Sequence, residues 1–351
     1  MKVEEKLLLR PEDFKPYFKD WKINGIFNPG AIRDKDGKII LFIRVAERFT
    51  SKNKFEYPES ILGKKFDYIV KKINEKDFDN QEGNVITLKD GTRKLSNISH
   101  FRRVVINKNG FDVERIEQEP IFYPTESYET FGCEDSRIVR IGNDYLMSYV
   151  SVSDNCGIST SIAISKDLKK WKKLGIAFSH ENKDVVLFPE KIKGEYVALT
   201  RPVGSFNFIL PSIWISYSKD LKYWGKEKCL VQPRKDSWEM NRIGAGCPPI
   251  KTSKGWLLIY HGVRNGAYSV GAILLDKNNP EKILARTAKN KPLFLPNKDY
   301  EKNGFVNNVV FPTGVVLDID KKSLLIYSGA ADRFITVKKV LIKDILESLE
   351  Y

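Results

Sequence analysis

The sequence has little of what most metal and redox sites require. Only three histidines and four cysteines occur in 351 residues, and no two cysteines have C-x-x-C spacing. Zinc and related sites are built from clusters of these residues, so we expect no metal and no cofactor. Reduced thiols are then the expected state of the cysteines, as in a cytosolic protein.

Long apolar runs and linkers are absent as well. No run of about eighteen apolar residues predicts a transmembrane helix, and residues 1–10 carry charges where a signal peptide needs an apolar segment. We therefore expect a cytoplasmic protein without membrane contact. Apolar residues make up 42% of the chain and no Pro/Ser-rich linker divides it, so we expect one globular domain over residues 1–351.

Helical periodicity is also scarce. It occurs over residues 337–349, where we predict a short C-terminal helix. Elsewhere short alternating segments are separated by turn signals such as Asp36-Gly37 and Lys254-Gly255, which predicts an all-β protein. Residues 51–95 are rich in charged residues and Asn, with a weaker apolar pattern, and we interpret them as an insertion between strands.

An internal repeat indicates how the strands are organised. Ser165-Lys-Asp-Leu-Lys-Lys-Trp171 recurs 53 residues later as Ser218-Lys-Asp-Leu-Lys-Tyr-Trp224, and each copy follows a short alternating strand. Repeats of this period made of short strands are typical of β-propeller blades. The innermost strand of each blade lines a central funnel, so polar residues that are far apart in sequence should converge there.

Carboxylate side chains are scarce near the predicted strand ends. The formal net charge is +14, which attracts anions, but the lysines are spread along the chain and no nucleic-acid-binding motif is present, so we expect no nucleic-acid partner. A hydrolytic glycosidase needs two carboxylates. One carboxylate among many cations suits phosphate as the nucleophile, because phosphate is already anionic and needs cations to hold it. The candidate cations are Arg44, Arg137, Lys191, Arg201, Arg242 and His261.

The most informative single stretch is residues 131–137, Phe-Gly-Cys-Glu-Asp-Ser-Arg. Alternate side chains of an extended segment share a face, so Asp135 and Arg137 should point the same way and Glu134 the other way. An acid beside a fixed positive charge suits sugar or phosphate chemistry. A surface ion pair at the start of a strand is the alternative.

Together these motifs resemble glycoside hydrolase family 130, the mannoside phosphorylases with some hydrolases among them. The resemblance runs in order from Asn28 to Asp332. It is carried by Glu134-Asp-Ser-Arg137, Phe188-Pro-Glu-Lys191, Arg201-Pro202, Gly255-Trp-Leu-Leu-Ile-Tyr-His-Gly262, Leu274-Leu-Asp276 and Gly329-Ala-Ala-Asp332. Residues 128–135 look most like the branch that acts on β-1,2-mannobiose and β-1,2-oligomannan.

The resemblance implies a five-bladed β-propeller and inverting phosphorolysis of a β-mannoside to α-mannose 1-phosphate. Asp135 would be the general acid, in several members through a sugar hydroxyl, and inorganic phosphate the co-substrate. The implied phosphate ligands are Arg44, Arg137, Lys191, Arg201, Tyr260 and His261. Asn28 and Asp332 match positions that hold mannose, and we group Asp184 with them as a sugar-binding residue.

The sequence leaves several alternatives open. Ser136, Thr200 and Ser328 depart from the family pattern, and Thr200 puts the choice of acceptor in question. An inverting β-mannosidase on the same fold, a β-1,4-mannoside phosphorylase and a non-catalytic basic propeller that binds polyanions or glycans are the rival interpretations. The linkage, the acceptor length and the oligomeric state, a homo-oligomer included, are not determined by the sequence.

Overall fold

The computed structural model describes residues 1–63, 65–204 and 208–351. This part of the chain is almost entirely β, which confirms the predicted class. Its helical elements are brief, namely α1 (Asp299–Lys302), α2 (Ile342–Glu347) and 3-10 turns at Pro11–Asp13, Glu75–Asp77 and Ser127–Glu129.

The strands follow one another closely along the chain. Those of the first half are β1 (Val3–Leu9), β2 (Lys22–Arg33), β3 (Ile39–Arg48), β4 (Glu56–Ser60), β5 (Tyr68–Lys72), β6 (Phe78–Glu82), β7 (Val85–Leu88), β8 (Arg93–Leu95), β9 (Asn97–Ile106), β10 (Val113–Ile116), β11 (Gly132–Ile141), β12 (Asp144–Ser153), β13 (Gly157–Ser165) and β14 (Trp171–Phe178). Those of the second half are β15 (Asn182–Leu187), β16 (Tyr196–Pro202), β17 (Ile213–Ser218), β18 (Trp224–Val231), β19 (Arg242–Ala245), β20 (Ile250–Lys251), β21 (Trp256–Arg264), β22 (Ala267–Leu275), β23 (Ile283–Thr287), β24 (Val310–Leu317), β25 (Ser323–Ala330), β26 (Phe334–Leu341) and β27 (Leu349–Glu350).

Most strands belong to five successive antiparallel units. These are β2-β3-β9-β10, then β11 to β14, then β15 to β18, then β19 to β23 with β27, and lastly β24-β25-β26-β1. A single parallel bridge between Gly132 and Ser99 joins the first two units into one sheet. The N-terminal strand completes the last unit, since β1 pairs with β26 in the register Val3 to Val340.

Apolar side chains pack between each unit and the next. Five buried clusters occupy these interfaces, and one of them joins the last unit to the first by packing Ile335 and Val337 against Ile26 and Leu41. Neighbouring residues of one strand serve opposite interfaces: Leu41 belongs to that cluster, whereas Phe42 packs towards the second unit. Alternation along a strand explains this, because both faces of each sheet are covered.

The first strands of the units also contact one another. β2 lies against both β24 and β11, β11 against β15, and β15 against β19. Residues far apart in sequence therefore meet where these first strands converge, and this is where the candidate site lies.

The Ser-Lys-Asp-Leu repeat forms the same hairpin turn twice. It connects β13 to β14 and β17 to β18, so both copies link the third and fourth strands of a unit. In each copy the serine Oγ accepts hydrogen bonds from two backbone N–H groups, those of Asp167 and Leu168 in the first and of Asp220 and Leu221 in the second. The repeat is thus a structural turn.

The C-terminal helix predicted over 337–349 is too long at its N-terminal side. Strand β26 runs to Leu341, and the helix covers only Ile342–Glu347. The β-branched residues of the segment favour a strand. Lys338, which lies in this strand, is buried and pairs with Glu5 and Glu301.

The segment 51–95 lies between two strands that pair directly. β3 and β9 are antiparallel neighbours, with Arg44 opposite Phe101. Between them the chain forms a two-stranded sheet of β4 and β5 and a three-stranded sheet of β6, β7 and β8. The segment leaves and re-enters the first unit at the end of β3 that lies beyond Arg44.

Candidate active site

Backbone bulges orient three polar side chains of the site. The first strands of three units, β2, β11 and β15, each contain a shift in register. These shifts lie between Phe27 and Gly30, between Glu134 and Arg137, and between Lys183 and Val186. Inside these shifts Asn28, Asp135 and Asp184 have left-handed backbone, with φ of 43°, 51° and 55°. Asn and Asp tolerate this region better than other non-glycine residues. A bulge redirects a side chain, and all three residues line one cavity.

This cavity combines charged, polar and apolar groups from all five units. Its volume is about 170 Å³. The lining residues are Asn28, Arg44, Asp135, Lys183, Asp184, Arg201, Arg242, His261, Tyr268, Val306, Val309, Phe311 and Asp332. Most of the polar ones come from the first or second strand of a unit.

Asp135 is held on one side of the cavity by two donors. Its Oδ1 accepts hydrogen bonds from Asn28 Nδ2 at 2.8 Å and from Arg44 Nη1 at 3.1 Å. The second terminal nitrogen of Arg44, Nη2, donates to Glu134. The bulge thus brings the carboxylates of Glu134 and Asp135 to one guanidinium. Burial alone would raise the pKa of Asp135, but Arg44, Lys183 and Arg137 outweigh it and lower that pKa.

Asp184 organises a second group of charges. It accepts a hydrogen bond from Arg201 Nε at 2.6 Å, and Arg137 Nη2 and His261 Nε2 each lie 3.4 Å from one of its oxygens. Burial would raise the pKa of Asp184, but Arg201, His261 and Arg137 lower it. Burial lowers the pKa of His261 to about 3. His261 is therefore neutral near pH 7 and is not the cation that the sequence predicts.

Two glycines permit the close approach of these side chains. A Cβ on Gly244 would lie 2.5 Å from Asp184 Oδ2, and one on Gly329 would lie 2.4 Å from Asn28 Oδ1. Any larger residue would displace the site groups. Gly244 lies in β19.

Two cavity cations form no salt bridge among the residues that the structure describes. In the described part of the chain, neither Lys183 nor Arg242 has a carboxylate within ion-pair distance. The guanidinium of Arg242 instead lies 5.9 Å from the centre of the Tyr268 ring. Glu239, three residues before Arg242, pairs with Arg234 and Arg286 instead.

Asp332 is the third carboxylate of the cavity. It follows β25 in left-handed backbone, with φ of 49°. Burial raises its pKa to about 6, Arg44 opposes this, and the nearby Asp135 adds to it. Asp332 thus changes its charge in a pH range where the other two cavity carboxylates stay ionised.

An apolar wall completes the cavity. His261 packs on Phe311 with ring centres 4.5 Å apart, and Tyr268 lies 5.8 Å from both rings. Val306 and Val309 extend the wall from the connection before β24. Aromatic and aliphatic surfaces beside hydrogen-bonding groups suit a ligand with both C–H faces and hydroxyls.

Seven of the ten site residues predicted from sequence line the cavity. They are Asn28, Arg44, Asp135, Asp184, Arg201, His261 and Asp332. Arg137 lies directly behind it and is only 2% exposed. Its guanidinium donates to the backbone oxygens of Asp135 and Gly246, so it supports the Asp135 bulge and is not placed to bind phosphate. The same-face expectation fails because the bulge interrupts the alternation between residues 135 and 137.

Lys191 and Tyr260 are not at the cavity, which corrects their predicted roles. Lys191 is exposed, and its Nζ lies 4.2 Å from the centre of the Tyr196 ring. Tyr260 is fully buried and donates its hydroxyl hydrogen bond to Glu239, because its side chain lies on the face of β21 opposite to that of His261.

The sequence interpretation missed most of the remaining lining residues. Lys183 directly precedes Asp184, and that adjacency was an available signal. Tyr268, Val306, Val309 and Phe311 carry no charge pattern and could not be singled out. In the residues that the structure describes, no group of three or more His, Cys, Asp or Glu side chains could hold a metal ion. None of the described helices is long and apolar enough to cross a membrane.

Comparisons with known proteins agree on one family. The sequence model of glycoside hydrolase family 130, described as beta-1,4-mannooligosaccharide phosphorylase, matches residues 93–351. A beta-1,2-mannobiose phosphorylase of Listeria innocua is 35% identical over 99% of this chain and 98% of its own length. A 1,2-beta-oligomannan phosphorylase of Thermoanaerobacter is 39% identical over 68% of this chain and 78% of its own. The solved structure of the Listeria enzyme with beta-1,2-mannobiose superposes with a TM-score of 0.88 at 34% identity, covering 99% of both chains.

Proposed function

Because the chain belongs to glycoside hydrolase family 130, we propose that it cleaves β-1,2-linked mannosides by inverting phosphorolysis and releases α-mannose 1-phosphate. The observation that carries this proposal is the cavity itself, in which Asp135 shares a small space with Lys183 and Arg242, two cations that form no salt bridge among the described residues. Cations that form no ion pair within the protein suit a phosphate dianion, which needs them to hold it and to offset its charge.

The reaction uses these groups in two roles. A phosphate oxygen attacks the anomeric carbon while the bond from that carbon to the leaving oxygen breaks. Asp135 gives its proton to the leaving oxygen, and the proton of the attacking hydrogen phosphate restores the acid. Lys183, Arg201 and Arg242 hold the phosphate and offset its charge.

The charge state of Asp135 is coupled to phosphate in this scheme. The neighbouring cations lower its pKa in the empty cavity. A bound dianion offsets those cations, so phosphate binding favours the protonated form that the reaction needs. Arg44 and Asn28 hold the carboxyl group in place, and Asn28, Asp184 and Asp332 are the proposed sugar-binding residues.

The linkage is assigned from the relatives. The family description names β-1,4 linkages, whereas the Listeria relative that matches over nearly its whole length acts on β-1,2-mannobiose. Identity over the full chain includes the elements around the cavity mouth, so we favour β-1,2.

The proposal extends to the fold and the setting. A single domain formed by a five-bladed β-propeller is supported by the five strand units and by the apolar cluster at each of their five interfaces. A cytoplasmic location is supported by four free cysteines. Phosphate would be the co-substrate and no cofactor would be needed.

The direct test is product analysis with and without phosphate. Incubation with β-1,2-mannobiose should give equal amounts of mannose and α-mannose 1-phosphate only when phosphate is present. Equal sugar release in phosphate-free buffer would instead establish a hydrolase. Faster cleavage of β-1,4-mannobiose would contradict the linkage assignment.

A further inference from the structure

The inserted segment contacts the rim of the cavity. A Cβ placed on Gly83, in the turn between β6 and β7, would lie only 3.4 Å from Phe305 Cζ. Phe305 and Val306 are joined to the site backbone, because both donate hydrogen bonds to the carbonyl of Ala331 at 2.9 and 3.2 Å. Val306 lines the cavity, and Ala331 precedes Asp332. A continuous path of contacts therefore connects the insertion to the site.

The rim formed by Phe305 and Val306 is apolar and accessible. Phe305 is 53% exposed and Val306 is 38% exposed. Apolar surface contributes nothing to holding phosphate, but it suits the C–H face of a sugar. The end of β25 that precedes Ala331 and Asp332 packs on Asn28, since a Cβ on Gly329 would lie 2.4 Å from Asn28 Oδ1, and Asn28 donates to Asp135 at 2.8 Å. This rim therefore lies beside the acid.

Inversion fixes what must lie on that side. Phosphate and the leaving group occupy opposite faces of the anomeric carbon, and the proton donor lies beside the leaving oxygen. In the proposed function the cations Lys183 and Arg242 hold the phosphate, so the leaving mannoside lies on the opposite face of the anomeric carbon, beside Asp135.

We propose that the Phe305–Val306 rim, held in place by the β6–β7 turn of the insertion, is the wall against which the leaving mannoside binds. This rests on the proposed phosphorolysis. Phe305 acts as a positioning residue for Val306, and the insertion sets the position of both. The wall determines acceptor affinity and leaves phosphate affinity to the cations.

The first test is Phe305→Ala, with Phe208→Ala as the matched control because Phe208 is 98% exposed on another connection. Phe305→Ala should raise KM for β-1,2-mannobiose by about fivefold or more, the loss expected for one apolar contact. KM for phosphate should stay within about twofold. Equal changes in both constants, no change in either, or the same change in Phe208→Ala would overturn the proposal.

The second test approaches the wall from the insertion. Gly83 and Gly91 both have positive φ in the same small sheet, but nothing lies within 4 Å of a Cβ on Gly91. Asn tolerates positive φ, so Gly83→Asn and Gly91→Asn share their backbone cost, and only the first pushes on Phe305. A higher mannobiose KM in Gly83→Asn alone supports the wall, and parallel behaviour of the two variants overturns it. A wild-type protein without phosphorolysis would refute the proposed function too, whereas an active one with insensitive variants refutes the wall alone.

Discussion

Two sets of buried carboxylates in this protein differ in how they are partnered. One set lines the cavity. The other, the connector glutamates Glu129, Glu239 and Glu301, lies in the connections between strand units, and each member is 0% exposed. Both sets face cations, so burial and ion pairing alone do not separate a site from a structural element.

The connector glutamates are saturated by the protein. Glu129 accepts backbone hydrogen bonds from Thr125 and Glu126, one from the Tyr149 hydroxyl at 2.6 Å, and an ion pair from Lys173. Each of these partners belongs to the structure that the glutamate holds together. Such a group has no capacity left for a ligand.

The other two follow the same plan. Glu301 accepts from the backbone of Asn297 and Lys298 and pairs with Lys338 at 2.8 Å. Glu239 pairs with Arg234 and Arg286 and accepts from Tyr260. Tyr260 thus has the structural role that Tyr149 has beside Glu129.

The cavity differs because its charges are incompletely satisfied. Lys183 and Arg242 have no carboxylate partner in the described part of the chain, and burial raises the pKa of Asp332 to about 6. Charges that the fold leaves without a partner are available to a ligand. The cavity is therefore distinguished from the connections by cations without a carboxylate partner among the described residues and by a carboxyl group with a raised pKa. The number of ion pairs does not distinguish them.

The largest contrast should come from removing the acid. Asp135→Asn should lower kcat by about 10²–10⁴-fold, the usual contribution of a general acid. Asn keeps the shape and an acceptor for Asn28 and Arg44, so thermal unfolding should change little. Steady-state phosphorolysis and a melting curve measure both. A variant that keeps kcat within tenfold of wild type would remove Asp135 from the mechanism.

Removing a connector glutamate should lower the stability of the fold and leave phosphate binding unchanged. Glu129→Ala removes the carboxylate shared by Lys173, the Tyr149 hydroxyl and two backbone donors, and leaves Lys173 with neutral acceptors only. The free energy of unfolding should fall by about 3–5 kcal/mol, while KM for phosphate in the folded fraction is unchanged. Denaturant unfolding and kinetics at low temperature test this. Glu126→Ala, exposed in the same connection, should cost less than about 0.5 kcal/mol. Equal losses in the two variants would refute the structural assignment.

Two lysines eight residues apart allow a cavity residue to be compared with a surface residue, since Lys183 lines the cavity and Lys191 is exposed. Lys183→Ala should raise KM for phosphate about 10- to 100-fold, because it removes one charged contact to the anion. Lys191→Ala should leave that constant within about twofold, since its side chain is exposed and lies over Tyr196. The sequence interpretation expects the reverse order. Phosphate titrations of both variants decide between them.

That reversal shows what the sequence can supply. The all-β class, the repeat and seven cavity residues follow from alternation, turn chemistry and motif resemblance. Lys183 lies within β15 and Lys191 follows the end of that strand by four residues, and only Lys183 borders the bulge between Lys183 and Val186 that faces the cavity. A bulge depends on tertiary pairing, so charge patterns alone rank the two lysines wrongly.

Some of the missing information was nevertheless in the sequence. Phe122-x-Pro124-x-x-x-Tyr-Glu129 and Phe294-x-Pro296-x-x-x-Tyr-Glu301 are the same pattern, 172 residues apart. This repeat marks the connections and their structural glutamates. A residue such as Tyr260, which contacts the related Glu239, needs the structure, because its partner lies 21 positions away with no pattern linking them.

A last contrast concerns the pH dependence of stability, which reports the unsatisfied charge of the cavity directly. The folded state holds the Asp332 proton up to about pH 6, whereas the unfolded chain loses it near 3.8. Between these values the folded state binds more protons, so this group makes stability fall as pH rises, by up to about 1.4 kcal/mol per pH unit.

The variant Asp332→Asn has no such titration. The stability of wild type minus that of Asp332→Asn should therefore decrease from pH 4 to pH 6 and then level off in urea unfolding. Parallel profiles for wild type and Asp332→Asn would contradict a cavity that raises the pKa of Asp332.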